Sequence, residues 1–253
     1  MNILITYAVE AEFASWRTLN MEKVTRGNAT LQRARIGRAT VDFVITGMGA
    51  ENATRVAEEI ISNTYSFCIV SGFAGALKSS AKLGNIVAPE KVQHHATRQT
   101  EICAPDLLTR AFENGATGIA TLLTTDHVVN TAEEKNRLSA FAEAVDMESF
   151  AILQAANKKN VPCAILRVIS DSFDRDMPAE LDTIVDPQGH VKIAGVVRYV
   201  AKHPLMVPAL VRLGRDSKSA AEVLAHFLES YINRLSSTPH GNPPPALQEV
   251  AAS

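Results

Sequence analysis

The chain has 253 residues, 46% of them apolar, and a formal net charge of −2. That is enough for one large domain or two small ones, and without a basic excess it excludes the electrostatic footprint of a nucleic-acid binder. The three cysteines, Cys68, Cys103 and Cys163, show neither a CxxC motif nor Cys/His ligand spacing, so no metal site is expected.

Met1 to Tyr7 is apolar but too short for a signal core, and it meets Glu10 and Glu12 at once. No stretch approaches the ~18 apolar residues of a membrane span. Three cysteines without a leader predict a soluble protein in a reducing cytoplasm.

Ile3–Tyr7 reads as a first strand and Val41–Thr46 as another, bounded by Gly47 and Gly49. Val56, Ile60 and Ile61 give 51–63 a helical period. Ser66–Val70 is a short buried strand followed by the glycine-bearing turn Ser71–Gly75. Asn85–Ala88 and Gly118–Thr124 are further strands. A helix is expected over Asp146–Lys158 and an apolar strand over Cys163–Ile169. This alternation predicts an α/β fold, a three-layer sandwich whose mixed, mostly parallel central sheet is flanked by helices. Sites in such sheets gather at the carboxyl ends of strands, where Glu12, Gly47, Gly72, Asp126 and Asp171 all fall.

Pro178, Pro187 and Gly189 mark 174–193 as a loop. Residues 194–235 are mainly helical, with a break around His203-Pro204 and Pro208, and form an added C-terminal element of a single domain spanning 1–235. Four prolines among small and polar residues predict a disordered tail over 236–253.

Asp171 carries the most chemistry. An acid at the end of a buried strand is poorly solvated, so its pKa rises and it can hold a proton near neutral pH. A second carboxylate nearby would then bind hydroxyls or stabilise positive charge, a division of labour suited to glycosidic cleavage. Plainer readings stand beside this one. Asp171 within Ser170-Asp171-Ser172 has helix-capping chemistry, and Asp146 and Glu148 suit a helix dipole. Glu10 and Glu12 would point the same way in extended chain, or be solvated at a helix start. The turns Thr46–Ala50 and Ser71–Gly75 can bring backbone N–H groups to a ligand, yet match neither a phosphate-binding loop nor a hydrolase elbow. His94-His95 is expected to be solvated rather than metal-binding, and Glu133–Arg137 to be an exposed helical turn.

Together the motifs resemble the nucleoside phosphorylase and nucleosidase superfamily, in its methylthioadenosine/adenosylhomocysteine nucleosidase-like branch. The resemblance runs through Ala8–Glu12, Gly47-Met48-Gly49 with Asn52-Ala53, Ser71–Gly75, Lys82–Val87, Val145–Glu148 and Arg167–Asp171. Asp146 stands where the branch has Glu, and Phe73 where it often has a small residue. The resemblance implies cleavage of the N-glycosidic bond of a purine nucleoside, without metal or organic cofactor. It implies that Asp171 protonates the base at N7 with Ser170 helping to hold it, and that Glu148 grips the ribose hydroxyls with Met147 packed on the sugar. Glu12 and Arg167 would position and activate water. Val129 would read the base through its backbone. Ser71, Gly72, Phe73 and Asp146 complete the expected substrate-binding set.

A carboxylate at the position of Glu12 would repel phosphate, which favours water as nucleophile over a phosphorylase using phosphate. A non-catalytic nucleoside-binding protein on the same scaffold is the rival from another class. The resemblance also implies a homodimer or larger assembly. The C-terminal part is similar to hopanoid-associated phosphorylase-like proteins, which act on adenosylhopane. Leu205, Met206, Val207, Leu210 and Leu213 would build an apolar wall for a greasy 5′ group, although packing on the sheet or a partner is the reading preferred for them.

Overall fold

The computed structural model describes residues 1–177, His203 and 207–237. Its strands are β1 (Asn2–Tyr7), β2 (Glu22–Arg26), β3 (Ala29–Ile36), β4 (Ala39–Ile45), β5 (Phe67–Ala76), β6 (Ile86–His94), β7 (Thr100–Ile102), β8 (Thr117–Thr124), β9 (Ala144–Asp146) and β10 (Cys163–Asp171). The helices are α1 (Glu10–Phe13), α2 (Ala50–Ile60), α3 (Pro105–Glu113), α4 (Ala132–Leu138), α5 (Ser149–Lys158) and α6 (Val207–Ser237). This is the expected α/β class.

β1 shows why the centre forms. Every residue from Ile3 to Tyr7 is buried, the mark of a strand covered on both faces. It pairs in parallel with β4 on one edge and β5 on the other. β5 continues past β1 and pairs in parallel with β10 from Cys68↔Cys163 to Gly75↔Asp171. β10 then meets β6, β6 meets β8, β8 meets β9, and β9 returns to the end of β5. Five strands therefore close a ring, while β1, β4, β3 and β2 extend from it as an open wing. Parallel pairings run through the centre, while β10 meets β6 antiparallel and further antiparallel pairings attach β2, β3, β7 and β9.

α2 and α5 pack against one another, as do α3 and α6, and both α5 and α6 contact β5 and β10. α6 seats Leu224, Leu228, Tyr231 and Ile232 in the core, and the Tyr231 hydroxyl donates to the Leu107 carbonyl at 2.8 Å.

Several expectations are corrected. Ser71–Gly75 is not a turn but the second half of β5, because a parallel partner along its whole length outweighs the poor strand propensity of glycine. Asp146 ends a short strand rather than opening a helix, and α5 begins after Glu148. Asp171 ends β10 rather than capping a helix. Glu10 and Glu12 diverge because the chain is already helical there: Glu10 reaches Arg17 at the surface and Glu12 is buried. Glu133–Arg137 does lie in a helix, but Lys135 within it is 0% exposed. His94 finds an acidic neighbour, Asp126, at 3.3 Å.

α6 is one continuous helix whose second residue is Pro208, a position where a missing N–H costs nothing. Ser236 and Ser237 belong to this helix, not to the tail. The loop expected over 174–193 is described only to Met177, and the tail beyond Ser237 lies outside the described residues. Among the described residues, no helix is long and apolar enough to cross a membrane, and no three His, Cys, Asp or Glu side chains are grouped to hold a metal.

Candidate active site

The carboxyl ends of β1, β5, β9 and β10 lie side by side, so the segments leaving them meet in one place. They wall a cavity of about 730 Å³. Glu12, Phe73, Asp146, Met147, Glu148, Ser170 and Asp171 line it, as does Val129 from the loop ahead of α4. Eight of the eleven expected site residues are thereby brought together. Ser71, Gly72 and Arg167 do not line it; they stand behind Glu12 and Glu148.

Arg167 is 1% exposed and organises this layer. Its Nη2 lies 2.7 Å from Asp146 Oδ2 and 3.7 Å from Glu148 Oε2, and its Nη1 lies 4.0 Å from Glu12 Oε1. Nε and Nη2 also donate to Ser149 Oγ at 3.2 and 3.0 Å, and Nη1 donates to the Ser71 carbonyl at 3.2 Å. A buried guanidinium with this many partners is rigid, and three carboxylates around it leave the cluster with excess negative charge.

Glu12 is fixed by the turn that follows β1. Its Oε2 accepts the N–H groups of Ala8 and Val9 at 2.7 and 3.1 Å, and its Oε1 accepts that of Phe73 at 2.7 Å. Burial nevertheless pushes its pKa up, against the pull of Arg167 and these amides. Glu148 precedes α5 and accepts the Gly49 N–H at 2.8 Å. Burial drives its pKa up to about 7, with Arg167 opposing and the charge of Asp146 reinforcing the rise. Asp146 accepts from Thr124 Oγ1 at 2.7 Å and from the Ser149 N–H at 3.2 Å, which locks the β9–α5 turn.

Asp171 faces the same cavity. Burial raises its pKa, while Lys135, whose Nζ lies 2.5 Å from Asp171 Oδ2, pulls the other way.

Gly72 explains how Arg167 and Glu12 sit so close to β5. Its φ is +135°, and a Cβ there would lie 2.5 Å from both Arg167 Nη1 and Glu12 Oε1. Gly72→Ala is expected to destabilise the fold by roughly 1–3 kcal/mol from backbone strain alone and to lower turnover by displacing Glu12. Thermal melting and a base-release assay on the same preparation check both; an unchanged melting temperature would speak against the crowding.

Lys135, Thr124 and Ser149 were not among the expected site residues, and the turn carrying Gly49, expected to offer N–H groups to a ligand, gives the Gly49 N–H to Glu148. Ser149 had a usable signal, since it directly follows the acidic motif. Lys135 sat in a charge-rich run with nothing to separate it from solvated neighbours. α6 also contributes to the cavity through Leu210, Leu213, Gly214 and Ala221. Leu210 and Leu213 thus border the cavity. Leu205 and Met206 lie outside the described residues, and Val207 is exposed.

A mixed sheet with an acid-lined cavity at its strand ends is the architecture of a known class, and the chain belongs to the phosphorylase superfamily, whose pattern matches residues 2–200. Within it, the chain is similar to the 5′-methylthioadenosine/S-adenosylhomocysteine nucleosidase of Anoxybacillus flavithermus, with 26% identity over 205 residues covering 68% of this chain and 85% of that protein. Among solved structures it resembles the S-adenosylhomocysteine nucleosidase of Streptococcus pyogenes in complex with 5-methylthiotubericidin, at a TM-score of 0.72 and 18% identity, covering 93% of this chain and 97% of the other. A mutant of the futalosine hydrolase of Helicobacter pylori gives a TM-score of 0.71 at 17% identity, covering 92% of this chain and 99% of the other. At such identities the structural likeness establishes the fold.

Proposed function

We propose that this protein is a nucleosidase that hydrolyses the N-glycosidic bond of a purine nucleoside, an adenosine carrying a 5′ substituent. One observation carries the reading: Asp171 at the end of β10 and Glu148 in the turn between β9 and α5 line the same cavity, each with a pKa raised by burial. Similarity to a nucleosidase of Anoxybacillus flavithermus supports it.

In this reading Asp171 enters protonated and gives its proton to N7 of the base. The C1′–N9 bond breaks and its electron pair leaves with the base. Glu148, ionised, accepts the ribose hydroxyls and stabilises the positive charge that develops on the sugar. Water adds to C1′ and passes a proton to Glu12, whose raised pKa makes it the stronger base. Met147 packs on the ribose, Ser170 and the Val129 backbone hold the base, and Phe73 narrows the cavity beside Glu12. Arg167, with Ser71 and Gly72 beneath it, keeps Glu12 and Glu148 in place; it acts from behind the wall instead of on the water directly.

Hydrolysis is favoured over phosphorolysis by charge. Glu12, Asp146 and Glu148 surround one arginine behind the wall, and among the described residues the lysine and histidine that line the cavity, Lys218 and His127, each have a glutamate beside them. A phosphate dianion entering beside three buried carboxylates would be repelled in a poorly screened site. Glu12→Gln is expected to lower hydrolysis by roughly 10²-fold or more, since the amide cannot accept the proton of water. A Glu12→Gln variant that is fast only with added phosphate would reverse the assignment of nucleophile.

The apolar side chains that α6 lends to the cavity, Leu210 and Leu213, support an uncharged 5′ group, as the C-terminal resemblance also implies. The reading includes a single domain over 1–235, a cytoplasmic location and a homodimer or larger assembly. A panel of 5′-modified adenosines and inosines, assayed for free base, tests it. Purine binding without base release across the panel would favour a non-catalytic nucleoside-binding protein.

A further inference from the structure

Lys135 is the one lysine in the buried interior among the described residues, and no local pattern in the chain marks it for burial. It sits in α4, and its ammonium has three donors. One goes to Asp171 Oδ2 at 2.5 Å, one to the Ser172 carbonyl at 2.8 Å and one to the Arg175 carbonyl at 2.7 Å. All three partners belong to the five residues that begin at Asp171. The same segment is tied back to the start of α4: Asp176 Oδ1 accepts the Ala132 N–H at 2.8 Å, and the Met177 N–H donates to the Asn130 carbonyl at 2.8 Å. α4 and the chain leaving β10 are therefore clasped at two places, with a buried charge at the inner one.

Burying an ammonium is costly unless it is fully paired. A methionine would fill the same space without that cost, so packing alone does not account for a lysine here. What a lysine adds is a fixed positive charge against one oxygen of Asp171, a carboxyl group that lines the cavity. Resting on the nucleosidase reading, we propose that Lys135 is a positioning residue for the glycosidic cleavage, orienting the Asp171 carboxyl toward the base and stabilising the carboxylate that remains once its proton has been given up.

The charge environment of Asp171 makes this testable. Lys135 approaches from α4, and Asp174 in the following turn acts in the opposite sense. Gly75 of β5 lies alongside and is uncharged. His127 borders the cavity from the loop after β8, and Glu12, Asp146 and Glu148 line it too, with Arg167 behind them. The nucleosidase reading requires Glu12 and Glu148 ionised and Asp171 protonated, so on that reading the carboxylates limit kcat/KM on the acidic side and Asp171 limits it on the alkaline side. Removing the lysine charge favours the protonated acid, so the alkaline limb must move to higher pH while the acidic limb stays.

The experiment measures kcat/KM for adenine release from 5′-methylthioadenosine against pH for the wild type, Lys135→Gln and Lys135→Arg. Lys135→Gln is expected to shift the alkaline limb up by about one pH unit or more and to lower kcat by about tenfold or more, with KM changed far less. Lys135→Arg keeps the charge and is expected to hold the limb at its wild-type position while kcat falls. If Lys135→Gln fails to fold, Lys135→Met, which keeps the length of the stem, serves for the same comparison. A profile that merely scales down without moving, or a shift of equal size in the arginine variant, would overturn the proposal while leaving the nucleosidase reading intact. Absence of base release by the wild type would instead defeat the nucleosidase reading, and the role of Lys135 in the reaction with it.

Discussion

Asp171→Asn is expected to lower base release by roughly 10²–10⁴-fold while leaving nucleoside affinity within a few fold. The substitution keeps the shape and the oxygen that faces Lys135, but no transferable proton remains. The purine then has to leave as an anion. Rapid quantification of free adenine gives kcat, and calorimetric titration with a slowly cleaved nucleoside gives affinity. A variant whose kcat stays close to that of the wild type would remove Asp171 from the chemistry, whereas a variant that neither turns over nor binds would point to a collapsed cavity.

Glu148→Gln is expected to move activity and stability in opposite directions. Activity should fall by roughly 10²-fold or more, because the negative charge facing the developing cation is gone. Stability should rise at alkaline pH. The Glu148 pKa is raised by burial to about 7 in the folded protein, against an ordinary value near 4.3. Between these values the folded state holds a proton that the unfolded chain has released, so stability falls as pH rises through this window. At pH 8 the wild type has lost on the order of 3 kcal/mol of this contribution, and glutamine, which cannot ionise, keeps it. At pH 5 most of the difference should be gone, with roughly 1 kcal/mol remaining. Denaturant unfolding at the two pH values checks the sign: equal stability at pH 8 would mean that Glu148 is not held in a costly ionised state.

The sequence was informative where burial or chemistry leaves a local trace. β1 and β10 are mostly apolar runs, because strands covered on both faces have no solvated side, and the buried Arg167 breaks the run of β10 where the site needs a cation. The acids at their ends stood out for the same reason. β2, in contrast, is Glu-Lys-Val-Thr-Arg at the edge of the sheet, largely exposed, with no apolar rhythm to read. Gly27-Asn28, which joins it to β3 as a hairpin, is the local trace of β2, and antiparallel pairing completes it. Gly72 was misread as a turn, since the pairing with β10 that keeps it extended is set by residues nearly a hundred positions away. Lys135 was illegible for a related cause. Its burial comes from the chain after β10 folding over α4, and no local pattern encodes that. The ring formed by β5, β10, β6, β8 and β9 is likewise a property of long-range pairing.

The most direct measurement of the central claim is product analysis of the wild-type reaction in phosphate-free buffer. With 5′-methylthioadenosine the account predicts adenine and a free 5-methylthio sugar in equal amounts, at a rate unchanged when phosphate is added. A sugar 1-phosphate formed only in the presence of phosphate, or no adenine under either condition, would contradict it.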